Sequence, residues 1–162
     1  MPNLYSIVSA KVYKKLTLAS AAMSTTYGGY VASNLIDGDT NNFAHTAGSP
    51  TDGAWIRVYL AAAVAQIDRI IIYNRVQCCR HRSIGWTVYI KIDDTVVTSC
   101  GQITQSAVTY DFTSCTGRGN IVEMSIEGAA ENNNLAEFVV YGSGTLNLFF
   151  YHLLFYTIQP RI

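Results

Sequence analysis

The sequence predicts an all-β domain of short strands, and three observations carry that prediction. Twelve Gly, eleven Tyr and many Val, Ile and Thr favour strands joined by turns over long helices. Ile67-Asp68-Arg69-Ile70-Ile71-Ile72-Tyr73 is a short, β-branched apolar run suited to a buried strand, whereas Trp86-Thr87-Val88-Tyr89-Ile90 alternates apolar and polar positions. The same alternation returns at 108–112 and 120–126. A chain of 162 residues is near the usual single-domain size and can bury a sizeable core.

Charge narrows the function classes. The chain has 11 basic and 11 acidic residues and only 14% charged positions, which gives no electrostatic footprint for nucleic acid or an anionic membrane. Residues 1–22 contain no uninterrupted apolar core ending in a cleavage site, and Lys11, Lys14 and Lys15 fall where that core would lie. A conventional signal peptide is not expected.

Taken in order, residues 1–15 read as an N-terminal extension or edge segment, in which Leu4-Tyr5-Ser6-Ile7-Val8 suits a sheet edge or pairing with a neighbour. Leu16-Thr17-Leu18-Ala19-Ser20-Ala21 alternates weakly and forms the first expected strand. Residues 24–30 are rich in turn formers, and Val31-Ala32-Ser33-Asn34 suits one helical turn. Ala54-Trp55-Ile56-Arg57-Val58-Tyr59-Leu60 is a strand, 61–65 a small-residue connection, and 67–73 the buried strand. Trp86 to Ile92 and Thr95 to Ser99 flank Asp93-Asp94, a hairpin turn, and 137–141 closes the sheet. Trp55 and Trp86, lying within strands, are assigned to the core.

The informative loop is Asn74-Arg75-Val76-Gln77-Cys78-Cys79-Arg80-His81-Arg82, which sits between two core strands. A polar loop on a rigid scaffold is the usual way a small domain presents a binding site. The forks of Arg75 and Arg82 suit vicinal oxygens, as on a sugar ring or a carboxylate. The plainer alternative is a solvated basic loop, and the adjacent cysteines count against it.

These residues resemble the signature of the F-type lectins, or fucolectins, within the wider discoidin and coagulation-factor type C group. The resemblance covers residues 16–142 and rests on Arg75-x-x-Cys78-Cys79-x-x-Arg82 after an Ile-rich strand and an Asn. It implies an eight-stranded jelly-roll-like β-sandwich, the discoidin or F-type lectin fold, over residues 16–144. It also implies that Arg75 and Arg82, with a histidine from an earlier loop, grip L-fucose while a vicinal Cys78-Cys79 disulfide packs on an apolar edge of the sugar. One position departs from the family pattern: the acid expected two residues after Arg75 is Gln77.

His45, in Phe43-Ala44-His45-Thr46-Ala47-Gly48-Ser49-Pro50, is the histidine available for that role. An imidazole both donates to and accepts from hydroxyls. Its spacing to Arg75 is longer than the family motif, so it is either the ligand displaced by small insertions or a neighbouring histidine without a sugar contact. Phe43 is placed to wall the pocket, and Arg80 and His81 are expected to be exposed.

Asn34-Leu35-Ile36-Asp37-Gly38-Asp39 forms a second motif. Its Asp-Gly turn gathers carboxylates and carbonyls in a way that suits Ca²⁺, although such a turn is often only a turn. The resemblance adds that Asn34, Asp37 and Asp39 bind a structural calcium with a distant acid, which matches Glu137. It also implies a Cys100-Cys115 bridge. Disulfides place the chain in an oxidising setting, secreted, extracellular or associated with a virion or cell surface.

Gly142-Ser143-Gly144 reads as a flexible break, and residues 145–162 as an apolar C-terminal arm. The arm is too short to span a bilayer. It is either an extra edge strand on its own domain or a docking element toward a homo-oligomer or partner protein. Together these features favour a lectin domain for fucosylated or related glycans. The alternative is a structural or assembly subunit, for example a viral or surface decoration protein. An enzyme is not expected, since no nucleophile lies beside a base and no carboxylate pair flanks a cleft.

Overall fold

The computed structural model describes residues 11–48, 53–128 and 132–145. It is a β-sandwich of two five-stranded sheets, with every strand pairing antiparallel. The first sheet runs β1 (Lys11–Lys15), β12 (Asn134–Thr145), β6 (Arg69–Asn74) and β9 (Thr109–Phe112), with β3 (Ala44–His45) against the start of β12. The second runs β2 (Leu18–Met23), β4 (Ala54–Leu60), β11 (Ile121–Ile126), β7 (Thr87–Ile92) and β8 (Thr95–Gln102). A small pair, β5 (Ala65–Ile67) with β10 (Gly117–Gly119), bridges one end.

The eight expected strands are all present, and β1, β3, β5 and β10 are additional. Three of the four have only two or three residues, too few for a period-two pattern to be legible. Asp93-Asp94 makes the expected hairpin turn, with Asp93 at φ 52° and its amide donating to Asn120 Oδ1 at 2.9 Å.

Alternation fixes which side chains fill the space between the sheets. In β4, Ala54, Ile56, Val58 and Leu60 point inward against Trp86, Val88, Ile90, Met124 and Phe138. Trp86 and Phe138 are wholly buried, and truncating either to alanine is expected to cost about 3–5 kcal/mol. Trp55 departs from its expected core position. It occupies an odd position of β4, so it faces the outside of the sheet, where the Arg57 guanidinium stacks 4.0 Å from its ring centroid.

Gly142-Ser143-Gly144 is not the expected break, because β12 continues through it and pairs with β1. A side chain at Gly142 would collide with the Gln66 carbonyl, and the Ser143 amide and hydroxyl donate to Asp68 Oδ2 at 2.7 and 2.6 Å. The glycine therefore serves close approach of two backbones. Of the apolar arm only Thr145 lies within the described residues, and the segment at 4–8 lies outside them.

Candidate functional site

The site lies at one end of the first sheet, where β6, β3 and the start of β12 meet. After β6 the chain turns at Asn74, and a vicinal disulfide joins Cys78 to Cys79. Cys79 is left-handed, with φ 66°, and directs the chain into a single 3-10 turn at Arg80–Ser83. Arg75 and Arg82 leave opposite ends of this loop. The second disulfide, Cys100–Cys115, ties the end of β8 to the segment after β9, far along the chain from the loop.

His45, at the end of β3, is brought to the same place. It is 4% exposed, and its Nδ1 faces the Thr46 carbonyl at 2.8 Å, so Nδ1 carries the proton and Nε2 presents a lone pair. Arg82 Nη1 lies 3.3 Å from that Nε2. Burial, and then the charges of Arg82 and Arg75, lower the pKa of His45 against the opposing pull of the Thr46 carbonyl, which keeps the imidazole neutral. Arg75 stacks over Phe43 at 4.0 Å, and among the described residues its buried Nε has no hydrogen-bond partner. Tyr30 stacks on Phe43 with ring centroids 4.5 Å apart, and the Tyr27 ring lies 5.0 Å from that of His45. Arg80 is half-buried and His81 exposed.

A buried hydrogen-bond network that the sequence reading missed fixes this arrangement. Asn74 Nδ2 donates to the Arg80 and Ala107 carbonyls at 3.1 and 3.2 Å and to Tyr110 Oη at 3.1 Å, while its Oδ1 accepts from the Arg75 amide at 2.8 Å. Ser83 Oγ donates to Asn133 Oδ1 at 3.0 Å, and the Asn133 amide donates to Thr46 Oγ1 at 2.8 Å. The chain of contacts thus runs from the disulfide loop through Ser83 and Asn133 to the residue beside His45. Its only mark in the sequence is polar residues at strand ends, Asn74 and the Asn132-Asn133-Asn134 run.

The second motif forms a neighbouring loop. Asp37 Oδ1 accepts from the Asp39 amide at 2.9 Å and Oδ2 from Asn42 Nδ2 at 2.7 Å, and Asp39 Oδ1 accepts from the Asn41 amide at 2.8 Å. Asn34 Nδ2 donates to the Phe43 carbonyl at 2.9 Å, which leaves its Oδ1 as an oxygen donor. Glu137 is buried on β12, and one oxygen accepts the Gly38 amide at 3.2 Å. Burial, with the charges of Asp37 and Asp39, pushes its pKa up to about 7 despite the Gly38 amide and Lys15. A buried carboxylate that feels the charges of two others is one whose charge a hard cation would offset. Among the described residues no three or more His, Cys, Asp or Glu side chains gather into a ligand set, so a cation here would draw on carbonyl and amide oxygens as well.

A discoidin-type β-sandwich with a basic, disulfide-bearing loop at one end defines a class of binding domain. The chain belongs to the NedA-like, galactose-binding domain family of the coagulation factor 5/8 type C group, whose model matches residues 34–124. Among solved structures, its fold is similar to the fucose binding module SpX-3 of Streptococcus pneumoniae, at TM-score 0.69 and 21% identity over 79% of this chain and 97% of that one. It is also similar to the F-lectin (fucolectin) of striped bass, Morone saxatilis, serum, at TM-score 0.65 and 24% identity over 82% of this chain and 50% of that one. A third likeness is the family 32 module of Clostridium perfringens NanJ, in complex with galactose, at TM-score 0.66 and 20% identity over 80% of this chain and 99% of that one. No curated protein matches the chain in sequence.

Proposed function

We propose that the chain is a non-catalytic carbohydrate-binding domain for fucose-type sugars, acting outside the cytoplasm. The observation that carries this reading is the meeting of Arg82 with the Nε2 of His45, 37 residues away in sequence, beside Arg75 and the Cys78–Cys79 disulfide. On binding, a sugar hydroxyl takes the Nε2 lone pair of neutral His45 from Arg82 Nη1, and the two guanidinium groups donate to hydroxyl and ring oxygens. The disulfide supplies a flat apolar contact, and Phe43 holds Arg75 in place through its ring face. The fucose-binding and galactose-bound relatives of the same fold support this class of ligand. The two disulfides suit an oxidising compartment. Among the described residues no helix is long and apolar enough to cross a membrane.

Titration calorimetry with L-fucose, run on the parent chain and on Arg82→Ala, tests the site. Binding that survives the substitution unchanged sinks the assignment, and absence of glycan binding by the parent transfers weight to a protein-contact role.

Calcium belongs to the same reading. Asn34, Asp37, Asp39 and Glu137 would hold the ion, which supplies charge neutralisation and pins the loop leading to Phe43 and His45. Excess calcium should raise the melting temperature over chelator by mass action on the folded state. In Glu137→Gln the calcium response should vanish, while the melt in chelator stays level or rises because a buried charge is gone. A parent melt that calcium does not move rules the ion out.

A further inference from the structure

Six cations among the described residues are half-buried: Arg57, Arg69, Arg75, Arg80, Arg82 and Lys91. Three are ion-paired within the protein, Arg57 with Asp94 and Glu123, Lys91 with Glu123, and Arg69 with Asp111. The other three share the loop after β6, and none of them has a carboxylate at ion-pairing distance among the described residues. Among the described residues the one side-chain hydrogen bond of Arg82 goes to a neutral imidazole, and Arg75 Nε, like Arg57 Nε, is buried without a hydrogen-bond partner. The neighbouring acidic loop touches this one where Gln77 Nε2 donates to the Asn41 carbonyl at 3.5 Å, but among the described residues none of its carboxylates forms an ion pair with the three arginines. Its carboxylates accept bonds from the amides of their own loop. Positive charge is thus concentrated at the site although the chain as a whole is neutral.

We propose that the ligand supplies the missing anion: this site prefers a glycan carrying a sulfate ester or a carboxylate over the neutral sugar of the same ring. The inference rests on the carbohydrate reading above and adds the charge class of the ligand. Desolvating a guanidinium is costly unless its donors are satisfied, and an ionised acceptor satisfies them with bonds about twice as strong as a neutral hydroxyl does. The planar forks of Arg75 and Arg82 match the paired oxygens of sulfate and carboxylate alike. Unscreened local charge also draws an anionic ligand toward the loop.

The test is calorimetry on the full chain, at low and high salt, with two matched pairs: L-fucose against fucose 3-sulfate, and D-galactose against D-galacturonic acid. At least one charged member should bind about tenfold or more tightly than its neutral counterpart, the difference between neutral and charge-assisted hydrogen bonding. Which pair responds tells sulfate from carboxylate. The advantage should shrink as salt rises, and Gln77→Glu, at an exposed position, should narrow it by restoring a negative charge to the loop. Neutral sugars binding as tightly as their charged partners, without salt dependence, overturn the proposal and leave the carbohydrate reading standing. Inorganic sulfate competing as well as the sulfated sugar overturns it too, and binding of none of the four sugars removes both.

Discussion

On the outer face of the second sheet, Arg57 sits between Asp94 Oδ1 at 3.0 Å and Glu123 Oε2 at 2.5 Å, and Lys91 Nζ reaches the other Glu123 oxygen at 2.7 Å. On the loop after β6, Arg75, Arg80 and Arg82 are also half-buried and have no carboxylate partner among the described residues. Both regions carry cations out of bulk water, yet only one contains its own counter-ions. The scaffold face neutralises its cations with carboxylates of its own, although Arg57 Nε, like Arg75 Nε, is buried without a hydrogen-bond partner among the described residues. The loop leaves its donors unmatched and holds them in position with neutral groups, namely Phe43, His45 and the Asn74 network. Breaking a paired charge leaves its partner uncompensated, whereas the unpaired charge of the loop is what the proposal above assigns to a ligand.

The largest effect should come from breaking the paired side. Glu123→Ala removes the carboxylate paired with Lys91 and one of the two paired with Arg57, whose side chains are only 12% and 14% exposed, and should cost about 3 kcal/mol of stability. Denaturant midpoints measure the loss, and fucose affinity of the folded protein should not change. A drop in sugar affinity as large as that in stability would mean the two regions are not separate.

A smaller effect is expected where the two roles overlap. Asn74→Ala leaves the Arg80 and Ala107 carbonyls and the Arg75 amide without their buried partner, at a cost of about 2 kcal/mol. It should weaken sugar binding as well, because both arginine-bearing ends of the loop are then unanchored. Stability lost with affinity intact would reduce the network to ordinary packing.

The smallest effect concerns pH. The folded-state pKa of His45 lies below its ordinary value of 6.5 through burial first, and through Arg82 and Arg75, with Tyr27 and Tyr30 as its aromatic neighbours. Below 6.5 the unfolded chain takes up the proton more readily than the folded one, so the contribution to stability is present above 6.5 and is lost as pH falls through the folded value. Fucose affinity should fall in the same direction, since a protonated Nε2 no longer accepts. Melts and binding across pH, set beside His45→Gln, check this, and a parent whose pH profile matches that of the variant would contradict it.

The strands with long patterns were legible in the sequence, because an apolar run such as 67–73 or an alternation such as 86–90 leaves few other ways to bury its side chains. The loop carrying Arg75, Cys78, Cys79 and Arg82 was legible as well, since all of its members lie within eight consecutive residues. Trp55 was misplaced because residue type suggested the core, whereas its phase in β4 faces it outward. Gly142 to Gly144 read as a break because glycine composition does not reveal that the Gln66 backbone passes too close for a side chain.

By itself, then, the sequence determined the all-β class, the strand pattern and one contiguous half of the candidate site, because these depend on neighbours along the chain. Only the tertiary structure decided that His45 reaches Arg82, that Asn133 links Thr46 to Ser83, and that Glu123 pairs with Arg57 and Lys91. Each of those contacts joins segments set side by side by strand pairing, as when β12 places Asn134 against His45. Separation along the chain carries no information about such distances until the register of the sheets is set.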